Sequence, residues 1–128
     1  MKYKLSVLFL FLSMVFLNTI AQSQTKSVEY KKLIGNWVRT DGGYTLRVRD
    51  VKADGTADVG YFNPGKINVA EANVSMHEER VKLFVKLQDK GYPGSTYTLY
   101  YSAEKDAFVG FYYQAKIKQT FEVVFLRK

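Results

Sequence analysis

The residue types that carry most protein chemistry are sparse in this chain. It has no cysteine and one histidine, His77, which Glu78 and Glu79 follow. A histidine beside carboxylates can transfer protons or hold a metal ion. These residues fall at a predicted turn with no second histidine nearby, so a solvated hairpin tip explains them better. No nucleophile-elbow, phosphate-loop, zinc-helix or calcium-loop spacing occurs either. We therefore expect no enzyme, no metal site and no cofactor.

Aromatic residues offer the remaining site chemistry, with ten Tyr, nine Phe and one Trp. A tyrosine joins an apolar ring to a hydroxyl, so it can fill a core or orient a bound ligand. Core packing is the competing explanation for every aromatic candidate. The candidate ligand-binding residues are Trp37, Arg39, Tyr44, Tyr61, Tyr97, Tyr101 and Tyr112.

Arg39 is the unusual member of this set. It lies two residues after Trp37 and therefore shares its strand face, which predicts a position toward the interior. A guanidinium there needs an acidic partner or an anionic ligand. The alternative is a strand end from which the side chain reaches water.

Short β-rich runs separated by turn residues position these side chains. Val81, Leu83, Val85 and Leu87 alternate with polar residues, as a strand with one buried face requires. Glycine-containing turns are predicted at 41–43, 54–55, 63–65 and 92–95, and other reversals at 77–79, 104–106 and 115–118. The resulting eight strands lie near 33–40, 43–52, 56–63, 66–76, 80–89, 95–103, 107–114 and 119–127.

Three local features modify this pattern. The apolar parity changes within the fourth strand, which predicts a bulge near Ala70. Only Ser27 to Lys32 suggests a turn of helix, with Ser27 as its N-cap. The runs Phe108 to Tyr113 and Phe121 to Leu126 are apolar on both faces, so they are either covered twice or present an outer aromatic patch.

A sheet with short connections and no covering helix must protect its edges, and closure does so most simply. We predict an all-β fold, an eight-stranded antiparallel up-and-down meander barrel. An open sandwich is the alternative. Eight strands leave an interior that side chains fill or that holds one small ligand.

The first hairpins resemble the start of the calycins, the meandering barrels that include the lipocalins and the avidin and streptavidin family. The resemblance lies in Gly35-Asn36-Trp37, the Gly42-Gly43 turn, and Asp54-Gly55 before Val59-Gly60-Tyr61. It covers roughly the first third of the predicted domain and implies a calycin-like barrel in which the tryptophan closes one end.

The avidin-like pattern also implies a biotin site, which this sequence does not reproduce. In that family an Asn two places after the tryptophan, a Ser six places after it and the tyrosine of the later strand hold the ureido oxygen. Here those positions are Arg39, Gly43 and Tyr61, so two of the three groups are missing. Later tryptophans are absent as well. We expect a ligand other than biotin.

The N-terminus has the order of a secretory signal peptide. Lys2 and Lys4 precede an apolar run from Leu5 to Leu17, which as a helix is too short for the roughly 30 Å membrane core. We therefore expect no transmembrane anchor and a secreted or periplasmic location. We assign 1–21 to the signal peptide, cleaved after Ala21 or Ser23, 22–32 to a lead-in, and 33–128 to one domain.

The distribution of charged residues along the chain limits the kinds of binding partner that we expect. The 19 Lys and Arg outnumber the 12 Asp and Glu, but they alternate with apolar residues instead of clustering. This is typical of a solvated sheet face, so we expect no nucleic-acid partner.

Two functions remain open. The first is a ligand-binding barrel that holds a small, partly apolar or anionic molecule against its tyrosines. The second is an interaction or inhibitor-like module of the cell envelope, which binds protein, lipid or glycan through its outer aromatic strands and positive charge. Either fits a monomer or a homodimer.

Overall fold

The computed structural model describes residues 21, 22 and 24–128. Residues 21, 22 and 24–31 are helical and form α1. Ser27 therefore lies inside the helix, and the prediction that it is the N-cap is wrong. Within these residues no helix is long and apolar enough to cross a membrane. The predicted signal peptide lies almost entirely outside the described residues. The strands are β1 Gly35–Arg39, β2 Thr45–Val51, β3 Ala57–Phe62, β4 Lys66–Ile67, β5 Val69–His77, β6 Arg80–Asp89, β7 Tyr92–Ser102, β8 Ala107–Gln114 and β9 Gln119–Arg127.

The nine strands of the described residues form one antiparallel sheet that curls into a nearly closed barrel. Its order is β4-β3-β2-β1-β9-β8-β7-β6-β5, so the first and last strands of the chain lie side by side. The two ends of the sheet, β4 and β5, are consecutive in the chain. Across the remaining gap the Val74 N–H donates to the Gly55 carbonyl at 2.7 Å, and Thr56 forms a bridge with Asn73.

The ninth strand arises because the predicted fourth strand is divided at Asn68. This residue separates β4 from β5, and its carbonyl accepts a hydrogen bond from the Gln88 N–H at 3.0 Å. The β5–β6 register shifts between Val69 and Glu71, which confirms the predicted bulge near Ala70. One continuous strand in the sequence pattern is therefore two strands joined by an irregular residue.

The turn predicted at residues 92–95 is wrong. Tyr92 and Asp89 are already paired across β6 and β7, so the reversal occurs at Lys90 and Gly91. Gly91 has a φ of 87°, which the two-residue loop requires. Gly94, with a φ of 85°, lies inside β7 where the register shifts, so its conformational freedom serves a bulge instead of a turn.

The core lies inside the barrel, where the inward side chains of the strands meet. Val81, Leu83, Val85 and Leu87 are all buried, which confirms the alternation of β6. In β8 the burial alternates as well, because Phe108 and Tyr112 are buried while Val109, Phe111 and Tyr113 are exposed. The strand that is apolar on both faces is thus covered on only one of them.

Trp37 closes the barrel at the end next to α1. Its ring is fully buried, it packs 4.4 Å from the Phe108 ring centroid, and its indole N–H donates to the Leu33 carbonyl at 2.9 Å. The Arg127 guanidinium covers the indole at 4.2 Å and donates to the Ile34 and Lys32 carbonyls at 2.9 and 2.7 Å. The last strand therefore fastens the segment that leads into the first.

Asp106 completes this end of the barrel by accepting hydrogen bonds from two residues. It accepts two hydrogen bonds from Arg127, at 2.7 and 3.0 Å, and one from the Tyr101 hydroxyl at 2.8 Å. The bonds from Arg127, followed by the bond from Tyr101, hold the pKa of Asp106 below its usual value of 3.8.

Because the folded carboxyl has the lower pKa, it contributes stability above about pH 4 that is lost as the pH falls through the folded pKa. We expect the melting temperature to drop between about pH 4 and pH 2, and Asp106→Asn to reduce that slope while lowering stability at neutral pH. Melting curves across this range measure the effect. The control Glu104→Gln, in the same turn, should keep the slope of the original protein, and an unchanged slope in Asp106→Asn would refute the assignment.

Candidate functional site

The seven candidate residues separate into two groups at opposite ends of the barrel. Trp37 and Tyr101 belong to the end beside α1, where their ring centroids lie 6.0 Å apart and Tyr101 donates to Asp106. The other group lies toward the far end of β1, which we call the mouth. It consists of Arg39, Tyr44, Tyr61, Tyr97 and Tyr112.

Tyr61 and Tyr97 occupy the barrel interior below the mouth. Both side chains are fully buried, and their hydroxyl oxygens lie 2.9 Å apart in a hydrogen bond. Burial raises the pKa of Tyr61 above its ordinary value and that of Tyr97 to about 12. Both phenols are therefore neutral at physiological pH. They satisfy each other and form the floor of the mouth.

Arg39 lies on this floor, on the inward face expected from its spacing to Trp37. Its side chain is only 10% exposed. One Nη1 N–H donates to the Tyr97 hydroxyl at 3.0 Å, and Nε and Nη2 donate to the two carboxylate oxygens of Asp41. The guanidinium also lies 4.0 Å from the centroid of the Tyr44 ring and 5.6 Å from that of Tyr112.

Asp41 keeps this arginine charged in a largely buried place. Burial alone would lower the pKa of Arg39, but the hydrogen bonds with Asp41 and Tyr97 outweigh it and raise the pKa above its ordinary value. The same pair lowers the pKa of Asp41, mainly through the hydrogen bonds from Arg39. The acidic partner that a buried guanidinium requires is therefore supplied by the protein itself.

Above the floor is a cleft of about 500 Å³ that opens to solvent. Its walls come from the first hairpin, the β6–β7 turn and the adjoining ends of β8 and β9. Tyrosine rings supply apolar surface, and side chains of both charges supply polar edges. The lining residues are Arg39, Asp41, Tyr44, Gly91, Tyr92, Tyr112, Gln114, Phe121 and Glu122.

The charges around the cleft do not form an anion-binding site. The positive charge of Arg39 is neutralised by Asp41, and Glu122 forms no ion pair within the described residues. Arg39 has five N–H groups, of which three donate to Asp41 and Tyr97 and two have no acceptor among the described residues. The cleft thus combines unused donors and acceptors with a slightly negative balance.

Several cleft residues were not among the candidates from the sequence. Gln114 is the last residue of β8, Phe121 is the third residue of β9, and Asp41 and Gly91 stand in turns. Gln114 lies two residues after Tyr112 on the same strand face, and Phe121 lies two residues before the buried Val123. Extending each inward face by two residues would have identified both. Nothing local in the sequence shows that Asp41 folds back onto Arg39.

A larger groove, of about 730 Å³, lies on the outside of the barrel. Tyr100, Val109, Phe111 and Val124 form its apolar floor. Arg80 and Lys105 line one part of the groove, whereas Thr40, Asp41 and Glu122 line another. This groove belongs to the outer aromatic surface that the second functional hypothesis requires.

The histidine cluster remains at a hairpin tip. Glu78 and Glu79 form the β5–β6 turn with φ values of 48° and 67°, and the His77 ring centroid lies 5.9 Å from that of Tyr100. Within the described residues, no three His, Asp or Glu side chains come together as a metal site would require.

A scan against protein-family models and searches of curated proteins and of solved structures found no match. The functional argument therefore rests on the geometry of the mouth.

Proposed function

We propose that this protein is a calycin-like barrel, secreted or periplasmic, that binds a small and partly apolar molecule in the mouth cleft. The observation that carries the proposal is Arg39, held among tyrosine rings on the floor of an open cleft with two N–H groups still free to donate. Small-molecule sites are usually concave, with a few fixed polar groups that orient the ligand. This cleft is concave and has such groups, and more of its lining is polar than apolar.

The charges around the mouth cleft favour ligands of some charge types over others. Asp41 already neutralises Arg39, and Glu122 adds a further negative charge at the rim. An anionic ligand would meet the Arg39–Asp41 pair, whose charges cancel, and would have Glu122 nearby at the rim. A neutral or cationic ligand would keep the stacking on tyrosine and accept from the free N–H groups or donate to the carboxylates. The sequence allowed an anion, but the balance of charges supports a neutral or cationic amphipathic molecule.

Three probes that share one aromatic body test this preference. NMR titration with 2-naphthalenemethanol, 2-(aminomethyl)naphthalene and 2-naphthoate compares a neutral, a cationic and an anionic group. We expect saturable shifts at the mouth with the neutral and cationic probes, and about ten-fold weaker binding of the anion, which corresponds to about 1.4 kcal/mol. Tightest binding by 2-naphthoate would contradict the proposed charge preference.

A matched pair of tyrosine variants tests the location. Tyr92 lines the cleft, while Tyr113 points outward from β8. Tyr92→Ser should weaken 2-naphthalenemethanol binding about ten-fold, because it removes a stacking surface worth about 1 kcal/mol or more. Tyr113→Ser should leave the affinity unchanged. If Tyr113→Ser weakens binding and Tyr92→Ser does not, the ligand site lies on the outside of the barrel.

The outer surface supports a second candidate function, the cell-envelope interaction module. Val109, Phe111 and Tyr113 are exposed by 43%, 46% and 37%, although Phe108 and Tyr112 are buried. Half of the apolar run is thus accessible beside the outer groove. Binding of the protein to envelope fractions that weakens with salt and with Phe111→Ser would favour this function.

A further inference from the structure

Exposed apolar side chains are concentrated on one hairpin of the barrel, which consists of β8, β9 and the turn between them. Nine large apolar side chains of the described residues are exposed, and six of them lie on this hairpin: Val109, Phe111, Tyr113, Ile117, Phe121 and Leu126. Exposed apolar residues scattered singly need no explanation, whereas a group of them marks a contact surface. The β8–β9 hairpin is therefore the region of the surface to explain.

The mouth half of this hairpin has two different faces. Phe121 and Tyr112 belong to the face that lines the mouth cleft, whereas Phe111 and Tyr113 lie on the outer face of β8. Ile117 lies in the turn at the tip and is 49% exposed. A partner that contacts the tip and the outer face therefore leaves the cleft open.

Lysines flank the apolar tip. Lys116 and Lys118 stand on either side of Ile117, and both are exposed and form no ion pair within the described residues. Glu122 is the one carboxylate in residues 107–127. It lies three residues along β9 from the last pair before the turn, a distance of about 10 Å. The tip itself is therefore positively charged.

The turns at the two ends of the barrel differ in charge. Between strands, the turns at the mouth end carry three lysines and one carboxylate, Asp41, whereas those at the opposite end carry two lysines and five carboxylates. Lys31 and Lys32, which lead into β1 at that opposite end, are paired with Asp50 and Glu29. An anionic surface is therefore attracted most strongly to the mouth end.

A lipid bilayer with anionic head groups matches this combination of side chains. An apolar side chain at a protruding turn gains free energy by entering the boundary between head groups and acyl chains. Tyrosine rings are favoured at the same level, and lysines beside the apolar residue are attracted to the phosphates. Glu122, about 10 Å from the turn, stays in water when only the turn enters.

Other partners from the cell envelope match the tip less well. A protein interface of ordinary size buries about 800 Å² on each partner, which is more than a single turn offers. A glycan presents many hydroxyl groups, and the Ile117 side chain at the tip offers them no donor or acceptor.

We infer that the β8–β9 hairpin docks this protein onto an anionic lipid bilayer, with Ile117 at the head-group boundary and Lys116 and Lys118 against the phosphates. The inference rests on the second candidate function and narrows it to one partner and one surface. It does not depend on the proposed ligand, because the mouth cleft lies on the other face of the hairpin. One apolar side chain and two lysines give reversible binding that weakens with salt.

Co-flotation with lipid vesicles tests the partner. The protein should bind vesicles of phosphatidylcholine and phosphatidylglycerol about ten-fold more tightly than vesicles of phosphatidylcholine alone, and high salt should remove the difference. Equal binding to both kinds of vesicle, or none to either, would overturn the inference. Envelope fractions that still bind in that case, with a loss in Phe111→Ser, would leave the second candidate function with a protein or glycan partner.

Two double variants of equal net charge locate the contact. Lys116→Gln with Lys118→Gln should weaken binding to the anionic vesicles about 25-fold, because each lysine near such a surface contributes about five-fold. Lys52→Gln with Lys105→Gln removes the same charge from turns at the opposite end and should weaken binding by less than about three-fold, because salt screens distant charges. Equal weakening in the two double variants would contradict docking by the tip.

A fluorescent label tests insertion, since the chain contains no cysteine of its own. An environment-sensitive fluorophore on Ile117→Cys should shift its emission to the blue when anionic vesicles are added. The control Met76→Cys, at a side chain 38% exposed near the opposite end of the barrel, should show no shift. Circular dichroism checks that both variants are folded. No shift for Ile117→Cys, or an equal shift for both variants, would overturn the inference.

Discussion

Replacing Trp37 by alanine is expected to lower the free energy of unfolding by about 3–5 kcal/mol, the usual loss for a fully buried aromatic side chain. The indole is fully buried against Phe108 and beneath Arg127, with 4.4 Å between the ring centroids and 4.2 Å to the guanidinium. The substitution also removes the donor to the Leu33 carbonyl. It therefore opens a cavity and loosens the attachment of the first segment to the barrel.

Urea unfolding followed by far-ultraviolet circular dichroism measures this loss. The control is Phe121→Ala, which removes an aromatic ring that is 41% exposed at the other end and should cost less than about 1.5 kcal/mol. If Trp37→Ala costs no more than Phe121→Ala, the indole does not close the barrel as described.

Gly110→Ala is the second substitution with a large expected effect. An added Cβ would lie 2.0 Å from the Thr98 carbonyl oxygen and 3.0 Å from the Leu99 Cα, both in the neighbouring strand β7. These are backbone atoms, so no side chain can move aside. The two strands must separate, and we expect a loss of about 2–3 kcal/mol or more.

The matched control is Gly65→Ala, because a Cβ at that turn position meets no atom within 4 Å. Its effect should stay within about 0.5 kcal/mol. Thermal melts of the two variants give the comparison. Equal stability of Gly110→Ala and Gly65→Ala would mean that β7 and β8 do not approach as closely as the structure shows.

Much of the barrel could be predicted from the sequence, because alternation and turn chemistry are local signals. Strands β6, β8 and β9 begin and end within one residue of the predicted bounds, and the bulge beside Ala70 follows from the parity change. A one-residue change of register moves every side chain to the other face, so a half-buried strand leaves a clear pattern.

The reversal at Lys90-Gly91 could not be predicted from local turn chemistry. Pro93-Gly94 has stronger turn chemistry, yet it lies within β7, where Gly94 adopts its positive φ in a bulge. The turn and the bulge both use the ability of glycine to adopt a positive φ. Pairing across the strands, which decides between them, is not a local signal.

The candidate site was predictable only in part for a similar reason. Spacing placed Arg39, Tyr97 and Tyr112 on inward faces, but it could not distinguish the filled interior from the open mouth. That distinction depends on Tyr61 and Tyr97 meeting across the barrel, and these residues are far apart in the chain. The acidic partner of Arg39 likewise came from a turn whose composition indicated only a reversal.

The most direct test of a ligand site at the mouth is to locate bound 2-naphthalenemethanol by isotope-filtered nuclear Overhauser spectroscopy. The ring protons of the probe should give contacts to Tyr44, Tyr92 and Tyr112, which line the cleft. Contacts to Val109, Phe111 and Val124 in the outer groove, with none to the mouth tyrosines, would contradict it.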